Sequence, residues 1–315
     1  MDRYRNALPQ LEGGFFLTDG GIETTLIFHE GLELPDFAAF HLLKTDEGTA
    51  ALRKYFGTYA EIAARFGADL ILESATWRAS ADWGTKLGYG RDALAEVNRQ
   101  AIRLLEPLRD AHEKSGRKAV VSGAIGPRGD GYNPARRMSE PEAEAYHREQ
   151  IDAFASSAAD MACAITMNYA EEAVGIARAA QRARLPVAIS FTVETDGRLP
   201  TGQTLAAAIA QVDGATSGYP AYYMINCAHP DHFDGVLKRG EPFVERIRGL
   251  RANASRMSHA ELNESPTLDV GNPAELGQQY AQLKRRLPRL NVLGGCCGTD
   301  HRHVESIAAA CAPLF

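Results

Sequence analysis

Eight short apolar runs alternate with longer amphipathic stretches along this chain, and no other feature constrains the fold as much. The runs are 15–18, 68–76, 118–126, 159–167, 186–193, 221–228, 247–253 and 291–297. They are rich in β-branched residues and end at Gly, Asn or Asp, as strands do. The stretches between them, such as 48–67 and 141–160, repeat their apolar residues every three or four positions, which marks helices with one buried face. Parallel strands need crossover connections, and helices then cover the sheet. The expectation is an α/β fold, a (β/α)8 TIM barrel with residues 1–315 as a single domain. An open doubly wound sheet is the alternative, since alternation alone does not require closure.

The longest Gly- and Pro-rich connections follow the third, fifth and seventh runs, at 126–134, 194–202 and 255–273. In a barrel all three open on the face at the carboxyl ends of the strands, where barrel enzymes keep their active sites. The Gly-rich loop over 123–131 lacks the Gly-Lys-Ser/Thr of a phosphate-binding loop and reads instead as part of that face. A formal charge of −6, with basic residues scattered among acids, leaves no surplus to neutralise phosphates, so nucleic acid is excluded as a partner. No window approaches the apolar length of a membrane span, and no signal-like segment opens the sequence, so a cytoplasmic protein is expected. The oligomeric state is not legible.

Five cysteines at irregular spacing argue against a disulfide framework. Cys227 ends the sixth run, and Cys296 and Cys297 end the eighth in the stretch GGCCGT. In a barrel the sixth and eighth strands end about 10 Å apart at the usual strand spacing, near enough for three thiolates to share one ion. Adjacent residues on a strand face opposite ways, so Cys296 and Cys297 can serve together only if the backbone turns there. Gly294, Gly295 and Gly298 supply that freedom through positive φ and lack of bulk. The plainer reading is a tight turn with packing cysteines. Three thiolates on Zn2+ make a poor acid toward water, yet a soft fourth thiol is deprotonated by such a site and stays nucleophilic. The chemistry indicated is alkylation of a thiol, most simply methyl transfer from a sulfonium or ammonium donor, with no catalytic residue required beyond the zinc site.

Asp19 and Glu23 follow the first run, where either can bind an ammonium group or serve only as a helix-start acid. Thr76 and Trp77 end the second run as candidate substrate contacts; Trp77 suits a methylated cation by cation–π attraction or caps the core. His301 and His303 fall in the first turn of the last helix, after the candidate caps Thr299 and Asp300, and a surface role is expected for them and for His229. Cys163 and Cys311 are expected to be buried packing residues.

With these pieces in place the chain resembles the homocysteine S-methyltransferase family, zinc-dependent (β/α)8 barrels, from Thr18 to Ala309. The likeness rests on TDGGIETTL, ATWRAS, GAIGPRGD, ISFTVETDGRLPTGQTL, INCAHPDHF and GGCCGT in the family's order. It implies a single homocysteine-binding-type domain, Cys227, Cys296 and Cys297 as zinc ligands, and Asp19, Gly20 and Asn226 in the amino-acid pocket. It also implies homocysteine as the thiol acceptor, methionine as product, and, from the short segment after Cys297, the compact type that uses S-methylmethionine. Two departures lie in the pocket rather than at the metal. The acidic residue the family carries at the end of strand four is replaced by the pair Ile165-Thr166, and the motif after strand seven reads Ala252-Asn253-Ala254-Ser255. Another thiol or selenol acceptor, a vicinal-dithiol redox or metal-handling role for Cys296 and Cys297, and a barrel that binds a thiol without turnover are the alternatives.

Overall fold

The computed structural model describes residues 2–264 and 267–315. Its strands are β1 (Phe16–Leu17), β2 (Asp69–Glu73), β3 (Ala119–Ile125), β4 (Met161–Met167), β5 (Val187–Phe191), β6 (Tyr222–Asn226), β7 (Ile247–Ala252) and β8 (Val292–Gly295). They pair in parallel in sequence order and close into a barrel, with Phe16 against Val292 and Leu17 against Leu293 at the β1–β8 seam. Closure excludes the open sheet. All eight expected strands are present, shorter by a residue or more at most ends because the flanking residues turn into the loops.

The helices are α1 (Asp46–Arg65), α2 (Ala81–Lys86), α3 (Arg91–Glu113), α4 (Glu140–Ala155), α5 (Ala170–Ala183), α6 (Leu205–Thr216), α7 (Pro230–Phe233), α8 (His259–Glu264), α9 (Pro273–Arg286) and α10 (His301–Cys311). Thr45 caps α1 by accepting from Gly48 N, and Asp300 caps α10 by accepting from Arg302 N. Among the described residues no helix is long and apolar enough to cross a membrane.

Two apolar layers hold the barrel. Inside it Phe16, Ile71, Val120, Met161, Cys163 and Tyr222 stack, while the outward faces pack on the helices in a larger cluster that includes Cys311. Strands buried on both faces explain the near-continuous apolar runs of the sequence. Gln10 and Leu8 close the amino-terminal end of the barrel, where Asn291 Nδ2 and Arg248 Nη1 donate to the Gln10 carbonyl. The opposite end stays open. One excursion was not foreseen: the chain between β1 and α1, including a π-helical turn at Thr24–His29, folds over that open end.

Candidate metal centre

Cys227, Cys296 and Cys297 converge at the open end with all three sulfurs within 4.8 Å of one another. Cys227 leaves β6 in a left-handed conformation, φ +53°, which turns its side chain toward the end of β8. His259 holds that turn, with Nε2 on the Cys227 carbonyl at 2.6 Å and Nδ1 3.2 Å from Glu194 Oε1. After β8 the backbone turns at once: Thr299 N and Oγ1 both donate to the Cys296 carbonyl. Cys296 and Cys297 therefore share one side despite being adjacent.

The glycines serve differently from the expectation. Gly298 has φ +76°, but neither Gly294 nor Gly295 is left-handed. A Cβ on Gly294 would overlap Thr18 Oγ1, and one on Gly295 would overlap Thr299 Oγ1. Their purpose is close approach of β8 to β1 and to the turn, not backbone freedom.

In this arrangement Cys227 and Cys296 are joined as a disulfide and Cys297 is free, its Sγ 3.6 Å from that of Cys227. One such link is not a disulfide framework; the alternative redox reading, which took Cys296 and Cys297 as the dithiol, would here draw on Cys227 and Cys296. Reduced, the cluster fits a tetrahedral metal: zinc–sulfur bonds of about 2.3 Å put sulfurs about 3.8 Å apart. Each sulfur also has one polar neighbour. Asn226 Nδ2 lies 3.7 Å from Cys296 Sγ, Thr166 Oγ1 3.9 Å from Cys227 Sγ, and Tyr132 Oη 3.4 Å from Cys297 Sγ. Such donors disperse thiolate charge, as the groups behind metal ligands commonly do. The cluster is one that can bind a metal ion.

Above it lies a cavity of about 520 Å³. Asp19, Gly20, Glu23, Trp77, Ile165 and all three cysteines line it. So do Asp130 and Tyr132 from the loop after β3, and Ser255, His259 and Leu268 from the segment after β7. The loop after β5 does not line it; Glu194 reaches it only through His259. Tyr132 and His259 stack with ring centroids 4.0 Å apart, so loops from opposite sides of the mouth meet over the sulfurs.

Two candidate substrate contacts are not in the lining. Thr76 is fully buried and spends its hydroxyl on the Ala124 carbonyl at 2.7 Å. Asn226 is also fully buried and uses every hydrogen-bonding position: Oδ1 accepts from Thr166 N and Ser190 Oγ, and Nδ2 faces Thr166 Oγ1 and Cys296 Sγ. It positions the cluster rather than meeting a ligand. His229 and His303 are buried, not on the surface as expected. His303 bonds Asp300 and the Val270 carbonyl, and His229, pulled down to about 4 by burial, accepts from Asp231 N.

Asp19 lines the cavity but is already engaged. Arg251 Nη2 donates to its Oδ1 at 2.6 Å and the Tyr55 hydroxyl to its Oδ2 at 2.8 Å. The other arm of Arg251 pairs with Glu73, and Nε donates to the Gly295 carbonyl. Burial pulls against the charge of Arg251, but Asp19 and Glu73 together hold its pKa above the usual arginine value. Glu23 has no such partner; burial, aided by Asp19, pushes its carboxyl up to about 7. Sequence reasoning passed over Arg251 and Glu73, which stand in ordinary strand positions, and Arg78, whose guanidinium lies between Trp77 and Trp83 at 4.0 and 3.9 Å from their ring centroids.

The homocysteine S-methyltransferase family model matches residues 16–311. Among curated proteins, methionine synthase of Mycobacterium tuberculosis is 26% identical over 236 residues, 71% of this chain and 19% of that protein. Betaine–homocysteine S-methyltransferase 1 of Rattus norvegicus is 25% identical over 195 residues, 56% of this chain and 45% of that protein. The chain thus spans from a fifth to under half of the length of these relatives. In structure, the homocysteine methyltransferase MmuM of Escherichia coli superposes with a TM-score of 0.76 in its oxidized form and 0.74 in its metallated form. Both are 19% identical, and the matches cover 94% and 96% of this chain and 95% and 98% of those.

Proposed function

Because the chain belongs to the homocysteine S-methyltransferase family, we propose that it is a methyltransferase. In this reading it moves a methyl group from a sulfonium donor such as S-methylmethionine, or from an ammonium donor, to the thiol of homocysteine, forming methionine. The observation that carries it is the convergence of three cysteine sulfurs at the floor of one deep cavity. Cys227, Cys296 and Cys297, when reduced, would hold Zn2+. Bound by three thiolates, zinc supplies the acidity that keeps a fourth, substrate thiol deprotonated near neutral pH without quenching its nucleophilicity.

The chain's own residues do the rest. Asn226, Thr166 and Tyr132 steady the sulfurs. The Tyr132–His259 stack keeps water from the mouth, which favours displacement over hydrolysis of the donor. The substrate sulfur attacks the methyl carbon in line with the departing sulfur: one C–S bond forms as the other breaks, the donor leaves as a neutral thioether, and the thiol proton goes to solvent. Positioning in that line is the main catalytic contribution. Ile165 stands where the family resemblance implies an acid, so an ammonium group would turn to Glu23, a lining carboxyl that Arg251 does not engage.

A redox role draws on the Cys227–Cys296 pairing, and one experiment separates the two. Reduced protein is loaded with zinc and given homocysteine and S-methylmethionine, and methionine is measured. Cys227→Ala should lose both bound metal and methionine formation. Turnover that persists in this variant, or in metal-free protein, refutes the zinc-dependent reading.

A further inference from the structure

Two buried arginines face the cavity, and they are not alike. Arg251 has two carboxylates. Arg78, only 7% exposed, is in no ion pair among the described residues. Its Nη1 donates to the Gly129 carbonyl at 2.9 Å, and Nε is buried with no hydrogen-bond partner. Burial pulls its pKa below the usual arginine value, and the attraction of the more distant Asp130 and Glu23 does not restore it. An arginine remains charged in such a place, and a buried charge without a counter-ion is costly.

The walls that hold it are themselves fixed. Trp77 Nε1 donates to the Ile165 carbonyl at 3.2 Å and Trp83 Nε1 to the Arg128 carbonyl at 2.9 Å. Two anchored indoles thus clamp the guanidinium plane; with Nε buried and one Nη1 hydrogen on Gly129, the end of the fork formed by Nη2 and the second Nη1 hydrogen is the part left for a ligand. A planar fork held this way suits a carboxylate, which it can bind through two parallel hydrogen bonds. The clamp ties the loop after β2 to the loop after β3 through the Gly129 carbonyl, but no carboxylate among the described residues pairs with Arg78.

We infer that Arg78 is the carboxylate anchor of the cavity, holding the acid group of a substrate that the chain itself does not supply. The carboxylate can belong to the thiol acceptor or to the methyl donor. Glu23, which acts electrostatically on Arg78, then provides for an ammonium beside it, so that an amino-acid head group docks here rather than at the apolar Ile165. The identity of the ligands rests on the methyltransferase reading; the anchor itself does not.

The chain has two tryptophans, and both flank Arg78, so their fluorescence reports on it directly. Reduced, zinc-loaded protein is titrated with homocysteine and with 3-aminopropane-1-thiol, its decarboxylated counterpart. S-Methylmethionine and (3-aminopropyl)dimethylsulfonium form the second pair. Methionine formation is followed in parallel. For the substrate whose acid docks here, Arg78→Gln should weaken binding about 10- to 100-fold, the usual scale for a hydrogen-bonded charge. KM should rise far more than kcat falls, Arg78→Lys should recover part of the loss, and the decarboxylated compound should bind both proteins alike. The pair that responds identifies the source. Wild-type protein that does not favour either acid over its decarboxylated form overturns the anchor, as does Arg78→Gln weakening acid and analogue equally. Absence of methyl transfer by wild-type protein would refute the methyltransferase reading, and the titration would still decide Arg78.

Discussion

Replacing Asn226 with Asp changes two hydrogens for a lone pair and a charge while leaving the shape intact. The variant keeps the acceptor bonds from Thr166 N and Ser190 Oγ, so the end of β6 should stay in place. What it loses are the two donors at Nδ2, one 2.9 Å from Thr166 Oγ1 and one 3.7 Å from Cys296 Sγ. A carboxylate oxygen at that position would face the Cys296 thiolate at a cost of about 4 kcal/mol for an effective dielectric constant of 20, before it relaxes or takes a proton. With relaxation, a loss of about 2–3 kcal/mol is expected, or about 30- to 150-fold in zinc affinity, near the upper part of the range for groups behind metal ligands. Competition against a chromophoric chelator at neutral pH measures it, with unfolding curves to confirm the fold. Ser190→Ala, which touches only the Oδ1 side, should leave zinc affinity unchanged. Zinc affinity of Asn226→Asp within threefold of wild type would show that Asn226 does not tune the cluster.

Arg251→Met would strand Asp19 and Glu73 as buried carboxylates and should cost about 3–5 kcal/mol in urea unfolding, most of it recovered when Asp19→Asn and Glu73→Gln are added; a loss under 1 kcal/mol would refute the pairing. Glu23 titrates near 7 when folded against 4.5 when free, so the folded state holds this proton more tightly and the group favours folding less as pH rises between those values. Glu23→Gln should therefore melt higher than wild type above pH 7, with the gain vanishing below pH 4.5; an equal gain at both ends would exclude ionisation as the cause.

The barrel was legible because both faces of every strand are covered, which leaves apolar runs that no solvated sheet would show. The meeting of Cys227 with Cys296 and Cys297 followed from strand order alone, since β6 and β8 flank β7 in the closed sheet and the side chains that end them share one rim. Thr76 and Asn226 were misread for one reason: position at a strand end does not say whether a side chain tips into the cavity or into the wall. The Asp19–Arg251–Glu73 cluster was invisible because its members lie far apart along the chain and each reads as an ordinary strand or strand-end residue. His303 was missed because a first-turn residue can face inward when the helix start itself is buried.

The cluster also has a mechanical consequence. Its sulfurs join the end of β6 to the turn after β8 across 69 residues of sequence. Next to that turn, β1 contributes only two paired residues to the seam. An ion held there would be a clasp: it would tie the final strand, which pairs four residues with β7 but only two with β1, to the end of β6 by coordination, and close a long loop that would otherwise cost entropy. A molecule whose eighth strand has slipped loses two of three ligands at once. The metal content of a sample would then count its closed barrels.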